Sequence, residues 1–119
     1  MAKSTGGAPS PADIVTVYES GGVCLVDMRK HHTKKGNTIA FQNSTSDLIH
    51  IFFPEGELFA ELSGQRQVIE IQKGQTSKAF KVKGDQPGKR DNHYPYAVFC
   101  AATGEFAIAN SNPEIIIDF

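Results

Sequence analysis

Several features that would readily disclose a function are missing from this chain of 119 residues. No apolar run approaches the roughly 18 to 20 residues of a membrane-crossing helix, so no membrane span is expected. Neither sign of charge dominates. Twelve Lys plus Arg stand against 13 Asp plus Glu, a net charge of -1, which gives no basis for a nucleic-acid-binding surface over the whole molecule. Phosphate-cradling glycine motifs and cysteine-pair zinc motifs are absent, as are internal repeats and coiled-coil heptads. The first residues, Met1 to Pro11, contain no apolar leader core. The expectation is therefore a cytoplasmic protein, or the mature form of a secreted one whose leader has been removed. Their Gly, Pro and Ser content cannot build a packed core, so residues 1–12 read as a flexible arm before a single domain at 13–119.

Cysteine is scarce as well: the chain has Cys24 and Cys100 only. A domain of this length can bury a core without a covalent staple. In a cytoplasmic protein both residues read as reduced, buried, small apolar side chains, with a pairing between them left open.

What the chain does contain is a succession of short runs rich in Val, Ile, Phe, Thr and Tyr, separated by turn residues. Asp13 to Tyr18 and Val23 to Met28 read as neighbouring strands, reversed at Gly21-Gly22. Arg29 to Asn37 reads as a basic loop. Thr38 to Asn43 alternates, with Ile39 and Phe41 sharing one face. The dense apolar run Leu48 to Phe53, stopped by Pro54, suits a strand near the middle of a sheet. Leu58, Phe59 and Leu62 fit one helical turn or an apolar connection. Val68 to Gln72, Ser77 to Val82 with Phe80 and Val82 on one face, Tyr96 to Cys100, Phe106 to Ala109 and Ile115 to Phe119 complete the set. Eight or nine such strands, about ten residues apart, point to an all-β antiparallel Greek-key sandwich.

The order of these segments resembles the cupredoxin family. The resemblance is carried by Lys35-Gly36-Asn37-Thr38-Ile39-Ala40-Phe41-Gln42-Asn43, then Ile49-His50-Ile51-Phe52-Phe53, then Ile71-Gln72-Lys73-Gly74-Gln75-Thr76, and last Tyr96-Ala97-Val98-Phe99-Cys100. It covers roughly residues 35–119; an immunoglobulin-like sandwich is the alternative fold. Blue-copper proteins of that family hold the metal with two histidines, a cysteine and a weak axial methionine. By position, His50 matches the first histidine and Cys100 the cysteine. The correspondence then fails. Thr103 stands where a second histidine is expected, Gly104 to Pro113 holds neither His nor Met, and Met1 and Met28 lie elsewhere in the chain. The resemblance thus implies a cupredoxin-like sandwich without a functional blue-copper site, with no cofactor, in which His50 and Cys100 are vestigial ligand positions. The competing reading is a copper-binding or electron-transfer protein that adds an unconventional third ligand such as His93.

Other constellations are weaker. Cys100 with His50 or His93 could form a nucleophile and base, but no nucleophile elbow accompanies them, and nothing else supports an enzyme. The carboxylates Glu55, Glu57, Glu61 and Glu70 read as solvated charges. Two segments are better placed to make contacts: Arg29, Lys30, His31, His32, Lys34 and Lys35 in the basic stretch, and Lys89, Arg90, His93 and Tyr94 beyond Pro87-Gly88. Adjacent His31 and His32 would point to opposite faces if that stretch were a strand, making a poor chelating pair. The functional expectation is a non-enzymatic module that binds a protein partner or a second copy of itself through these segments, with no nucleic acid partner.

Overall fold

In the computed structural model the described residues are 13–62, 67–84, 91–107 and 113–118. The expected N-terminal arm, Lys89 and Arg90 lie outside them. Among the described residues, eleven short strands and one 3-10 turn, Ala60–Leu62, follow one another: β1 (Asp13–Ser20), β2 (Val23–Val26), β3 (Lys30–Lys34), β4 (Thr38–Ser44), β5 (Ile49–Phe52), β6 (Val68–Ile71), β7 (Phe80–Lys81), β8 (His93–Pro95), β9 (Ala97–Cys100), β10 (Glu105–Phe106) and β11 (Glu114–Asp118).

The strands form three ladders, ordered β2-β1-β4-β7, β10-β9-β5-β6 and β3-β11-β8. Only Tyr96 separates β8 from β9, so this stretch of chain joins the second ladder to the third. Most pairs are antiparallel, as expected, but β1 with β4 and β3 with β11 run parallel. The hairpin between β1 and β2 closes through Gly21 and Gly22 at φ values of 60° and 79°, a left-handed pair that side chains with a Cβ resist. The basic stretch departs from its sequence reading. Lys30 to Lys34 is a strand, because alternate residues His31 and Thr33 turn inward and are buried while Lys30, His32 and Lys34 remain outside.

Alternation supplies the core. Val15 and Val17 of β1, Ile39 and Phe41 of β4, Ile49 and Ile51 of β5, Val98 of β9 and Ile115 and Ile117 of β11 are all buried in one cluster. Its centre is aromatic: Phe41 meets Phe53, Phe59 and Tyr96 at centroid separations of 5.7, 6.2 and 5.8 Å. The tilted and edge-on geometries are those that ring quadrupoles favour.

The two cysteines are not the reduced pair the sequence suggested. Cys24 of β2 and Cys100 of β9 form a disulfide, their Cα atoms 6.5 Å apart and 76 positions apart in sequence. It joins the β2-β1-β4-β7 ladder covalently to the β10-β9-β5-β6 ladder. Sequence alone could not reveal this, because the two inward-facing thiols meet only when the sheets stack.

A second tie is polar. Asn43, at 0% exposure, donates through Nδ2 to the carbonyls of Asp47 and Ile71, both at 2.8 Å. Its Oδ1 accepts from the Thr45 amide at 2.9 Å and the Thr45 hydroxyl at 2.7 Å. Every hydrogen-bonding capacity of that amide is used, which makes its burial tolerable. It binds the end of β4, the turn at 45–47 and the end of β6 together.

Tyr96, in contrast, buries a hydroxyl that no described group accepts. Burial pushes its phenol well above the ordinary tyrosine range, and the Asp27 carboxylate raises it further.

Three outcomes follow from these contacts. Replacing Cys24 and Cys100 by Ala removes a loop-closing constraint and is expected to cost about 4 kcal/mol, measured by urea unfolding of oxidised protein. Asn43→Ala strands several buried partners and is expected to cost about 2 to 4 kcal/mol in the same assay. Because Tyr96 binds its proton more tightly when folded, its contribution is intact below about pH 10, where the unfolded phenol titrates, and declines as pH rises beyond it. Tyr96→Phe should therefore be neutral or mildly stabilising at pH 7 and show a shallower loss of stability between pH 9 and 11. Parallel pH profiles for the two proteins would contradict this.

Candidate functional site

Two regions correspond to the residues singled out in the sequence, and a third emerges from the fold. The first is the metal position implied by the resemblance. Across the β5 and β9 pair, Cys100 lies opposite Ile49, and His50 lies opposite Phe99. Ile49 and Cys100 face the core, so His50 points to the other side of the sheet. There its Nε2 meets Glu70 Oε2 at 2.8 Å and its ring stacks on Phe52 at 6.4 Å. The matching of His50 to a ligand is therefore one residue out of register for that role, and a shift of one reverses the face. Cys100 has no thiolate to offer, since its sulfur is bonded to Cys24. Thr103 belongs to the turn after β9, where its backbone amide and that of Gly104 donate to the Cys100 carbonyl at 3.2 and 2.9 Å. His93 sits on β8 with Nδ1 at 2.9 Å from Glu114 Oε1. These donors do not converge, and the residues do not fit a blue-copper centre.

The second region is the solvent face of β3-β11-β8. The register aligns Lys30 with Glu114, His32 with Ile116, Lys34 with Asp118 and His93 with Ile116. A basic row on β3 thus adjoins an acidic row on β11. His32 Nδ1 lies 3.2 Å from both Asp118 carboxylate oxygens. Of the contact residues expected here, Lys30, His32, Lys34 and Lys35 are exposed and Arg29 and His93 are half-buried. His31 and Tyr94 are corrections: both face inward, at 3% exposure, and cannot form part of a contact surface. Glu114 and Asp118 were not recognised from sequence, because their position beside the basic strand depends on a parallel pairing across some 84 residues. They leave the face a mixture of charges and not a basic patch.

The third region is assembled from strands far apart in sequence. On the outer face of β10-β9-β5-β6, one row runs Phe106, Phe99, His50, Glu70 and the next runs Ala97, Phe52, Val68. Phe106 is 53% exposed and lies 5.3 Å from Phe99 and 6.1 Å from Phe52 between ring centroids. Beside this cluster, Phe52, Pro54, Gln67, Val68, Pro95 and Ala97 line a groove of about 460 Å³. The sequence signal was present: Phe52 and Phe99 occupy the alternate positions to buried Ile51 and Val98. Which set faced inward depended on the partner sheet.

No family model and no curated protein matches this chain in sequence. Its fold does match solved structures. An oxidized amicyanin mutant superposes with a TM-score of 0.56 at 12% identity, covering 94% of this chain and 87% of that one. Amicyanin from Paracoccus versutus gives 0.55 at 14% identity, covering 94% and 86%. A reduced amicyanin mutant covering 96% of this chain and 97% of its own gives 0.51 at 13% identity. The immunoglobulin-like alternative is set aside by these matches. With its all-β sheet architecture and its alignment to amicyanins over 94 to 96% of its length, this chain has the cupredoxin fold.

Proposed function

We propose that this protein is a non-enzymatic, protein-binding module built on a cupredoxin sandwich, its copper site degenerate. The bond between Cys24 and Cys100 is the observation that carries this reading. It consumes the one sulfur that would define a thiolate copper centre or a cysteine nucleophile, and it sits at 1% and 0% exposure. His50 faces away from it, so even reduction would leave the imidazole on the wrong side of the sheet. A copper-binding or electron-transfer role through His50, Cys100 and His93 would need all three to turn toward one point, against the register of β5 and β9.

The aromatic outer face supports a binding role in place of metal chemistry. Phe106 is exposed with Phe52 and Phe99 half-buried beside it, and contiguous apolar side chains open to solvent on a sheet face mark interaction sites. The rings of Phe99 and Phe106 meet at 75° and those of Phe52 and Phe106 at 51°, so they form no flat platform for a sugar ring. The polar members of the same rows, His50 and Glu70, already contact each other. A protein partner presenting an apolar surface can cover this face without burying an unpaired charge. Arg29, Lys30, His32, Lys34, Lys35 and His93 would add polar contacts elsewhere, while Lys89 and Arg90 lie outside the described residues. The disulfide also supports an oxidising compartment over the cytoplasm, since such bonds persist where thiols are not kept reduced.

Titration of the oxidised protein with Cu(II), followed by visible absorption, is expected to give no intense thiolate-to-copper band. Cys24→Ser, which frees Cys100, should give none either. A stoichiometric band in either protein would refute the reading and restore a copper role. On the binding side, self-association measured by ultracentrifugation should be absent or weakened at least tenfold by Phe106→Ser, a change at an exposed position that leaves the core intact.

A further inference from the structure

β6 ends the β10-β9-β5-β6 ladder, and among the described residues no strand pairs with its far edge. The direction of its backbone groups follows from one bond. The Phe53 amide donates to the Gln67 carbonyl at 2.7 Å, in the register that pairs Phe52 with Val68 and Ile51 with Ile69. Gln67, Ile69 and Ile71 therefore turn their amides and carbonyls toward β5, while Val68 and Glu70 turn theirs away from it. Those two amides and two carbonyls have no hydrogen-bond partner among the described residues. Backbone groups left open along an edge are a template for one more strand. Proteins often blunt such an edge with Lys or Pro, and Val68-Ile69-Glu70-Ile71 contains neither.

We propose that this edge takes an extended segment of a partner protein as an added antiparallel strand, with a basic residue opposite Glu70 and a large apolar residue opposite Val68. The proposal rests on the protein-binding role above and gives the partner its form. In antiparallel pairing, the residues opposite Val68 and Glu70 each exchange two hydrogen bonds with them, so all four open groups are used. Every pair already in this ladder is antiparallel. Main-chain bonds supply affinity in strand addition, and side chains decide which segment fits. Val68 and Glu70 stand on the outer face, opposite Phe52 and His50. The Glu70 side chain is 61% exposed there; His50 Nε2 meets its Oε2 at 2.8 Å, and Oε1 has no partner among the described residues. A Lys or Arg on the added strand extends that row with the opposite charge. Val68 lines the apolar groove with Phe52 and Pro54, so an apolar side chain beside it continues the groove wall. A second copy of β6 fits less well. Aligned on Glu70, it sets two carboxylates opposite each other; with Val68 of one copy against Glu70 of the other, it offers neither carboxylate a cation.

The probe is a capped heptapeptide, Thr-Val-Thr-Lys-Thr-Phe-Thr, titrated into the oxidised full chain labelled with nitrogen-15 and followed by amide shifts and hydrogen exchange. Its Val, Lys and Phe share one face, and an antiparallel approach sets Lys against Glu70 and Phe against Val68. Binding should slow exchange of the Val68 and Glu70 amides at least tenfold and affect those of Ile69 and Ile71, already bonded to β5, much less. Methylating the peptide nitrogens of Lys and Phe should weaken binding at least tenfold. Methylating the Thr nitrogens on either side of Lys, which face away from β6, should leave it nearly unchanged. Glu70→Lys should weaken binding about fivefold, and exchanging the peptide's Lys for Glu should restore it. No binding at millimolar peptide, or equal losses from the two methylated peptides, would overturn strand addition. So would Val68 and Glu70 amides already protected in the free protein where it sediments as a dimer, which gives the edge to a second copy. Phe106→Ser leaves the β6 edge intact and separates this proposal from the broader one: if it abolishes peptide binding while Glu70→Lys and N-methylation do not weaken it, the partner sits on the aromatic face alone, and the protein-binding role stands without strand addition.

Discussion

The covalent link between Cys24 and Cys100 is the constraint on which the remaining features depend. It spans two ladders at the level of the buried core, where neither cysteine reaches solvent. A constraint closing 76 positions of chain lowers the entropy of the unfolded ensemble more than any single noncovalent contact in the sandwich. It also decides the chemistry. A sulfur held in a disulfide is neither a nucleophile nor a thiolate ligand.

Around that staple, the β-strand period of two divides every strand into a core set and a surface set. On β5 and β9 the core set is Ile49, Ile51, Val98 and Cys100, and what remains outside is His50, Phe52, Ala97 and Phe99. The aromatic surface is thus the reverse side of β5 and β9, the second of which carries Cys100 of the disulfide. On β3 the same rule buries His31 between Asp13 and Met28 while exposing Lys30, His32 and Lys34. Two adjacent histidines therefore have unrelated environments: one meets a thioether, the other a surface carboxylate.

Much of the fold was legible in the chain. Short runs rich in Val, Ile, Phe, Thr and Tyr located β1, β2, β4, β5, β6, β9 and β11, the paired glycines at 21 and 22 marked the first hairpin, and Pro54 marked the end of β5. The basic stretch misled because Lys30 to Lys34 lacks apolar alternation, and its inward residues, His31 and Thr33, are polar. The site was less legible. Matching His50 to a ligand required a register that only the pairing with Phe99 could decide, and Tyr94 looked like a contact residue until its ring was found in the core.

Taken alone, the amino-acid sequence determined local features: strand periodicity, turn positions, the balance of charge and the absence of a second histidine after Cys100. These depend on neighbours within a few residues, where backbone geometry makes side-chain direction predictable. The tertiary structure alone decided the disulfide, the parallel pairing that brings Asp118 to His32, the aromatic rows and the approach of Met28 to His31 under Asp13. Each joins separate stretches of chain at a given distance and facing, and those are set by how the sheets pack, which no local pattern encodes.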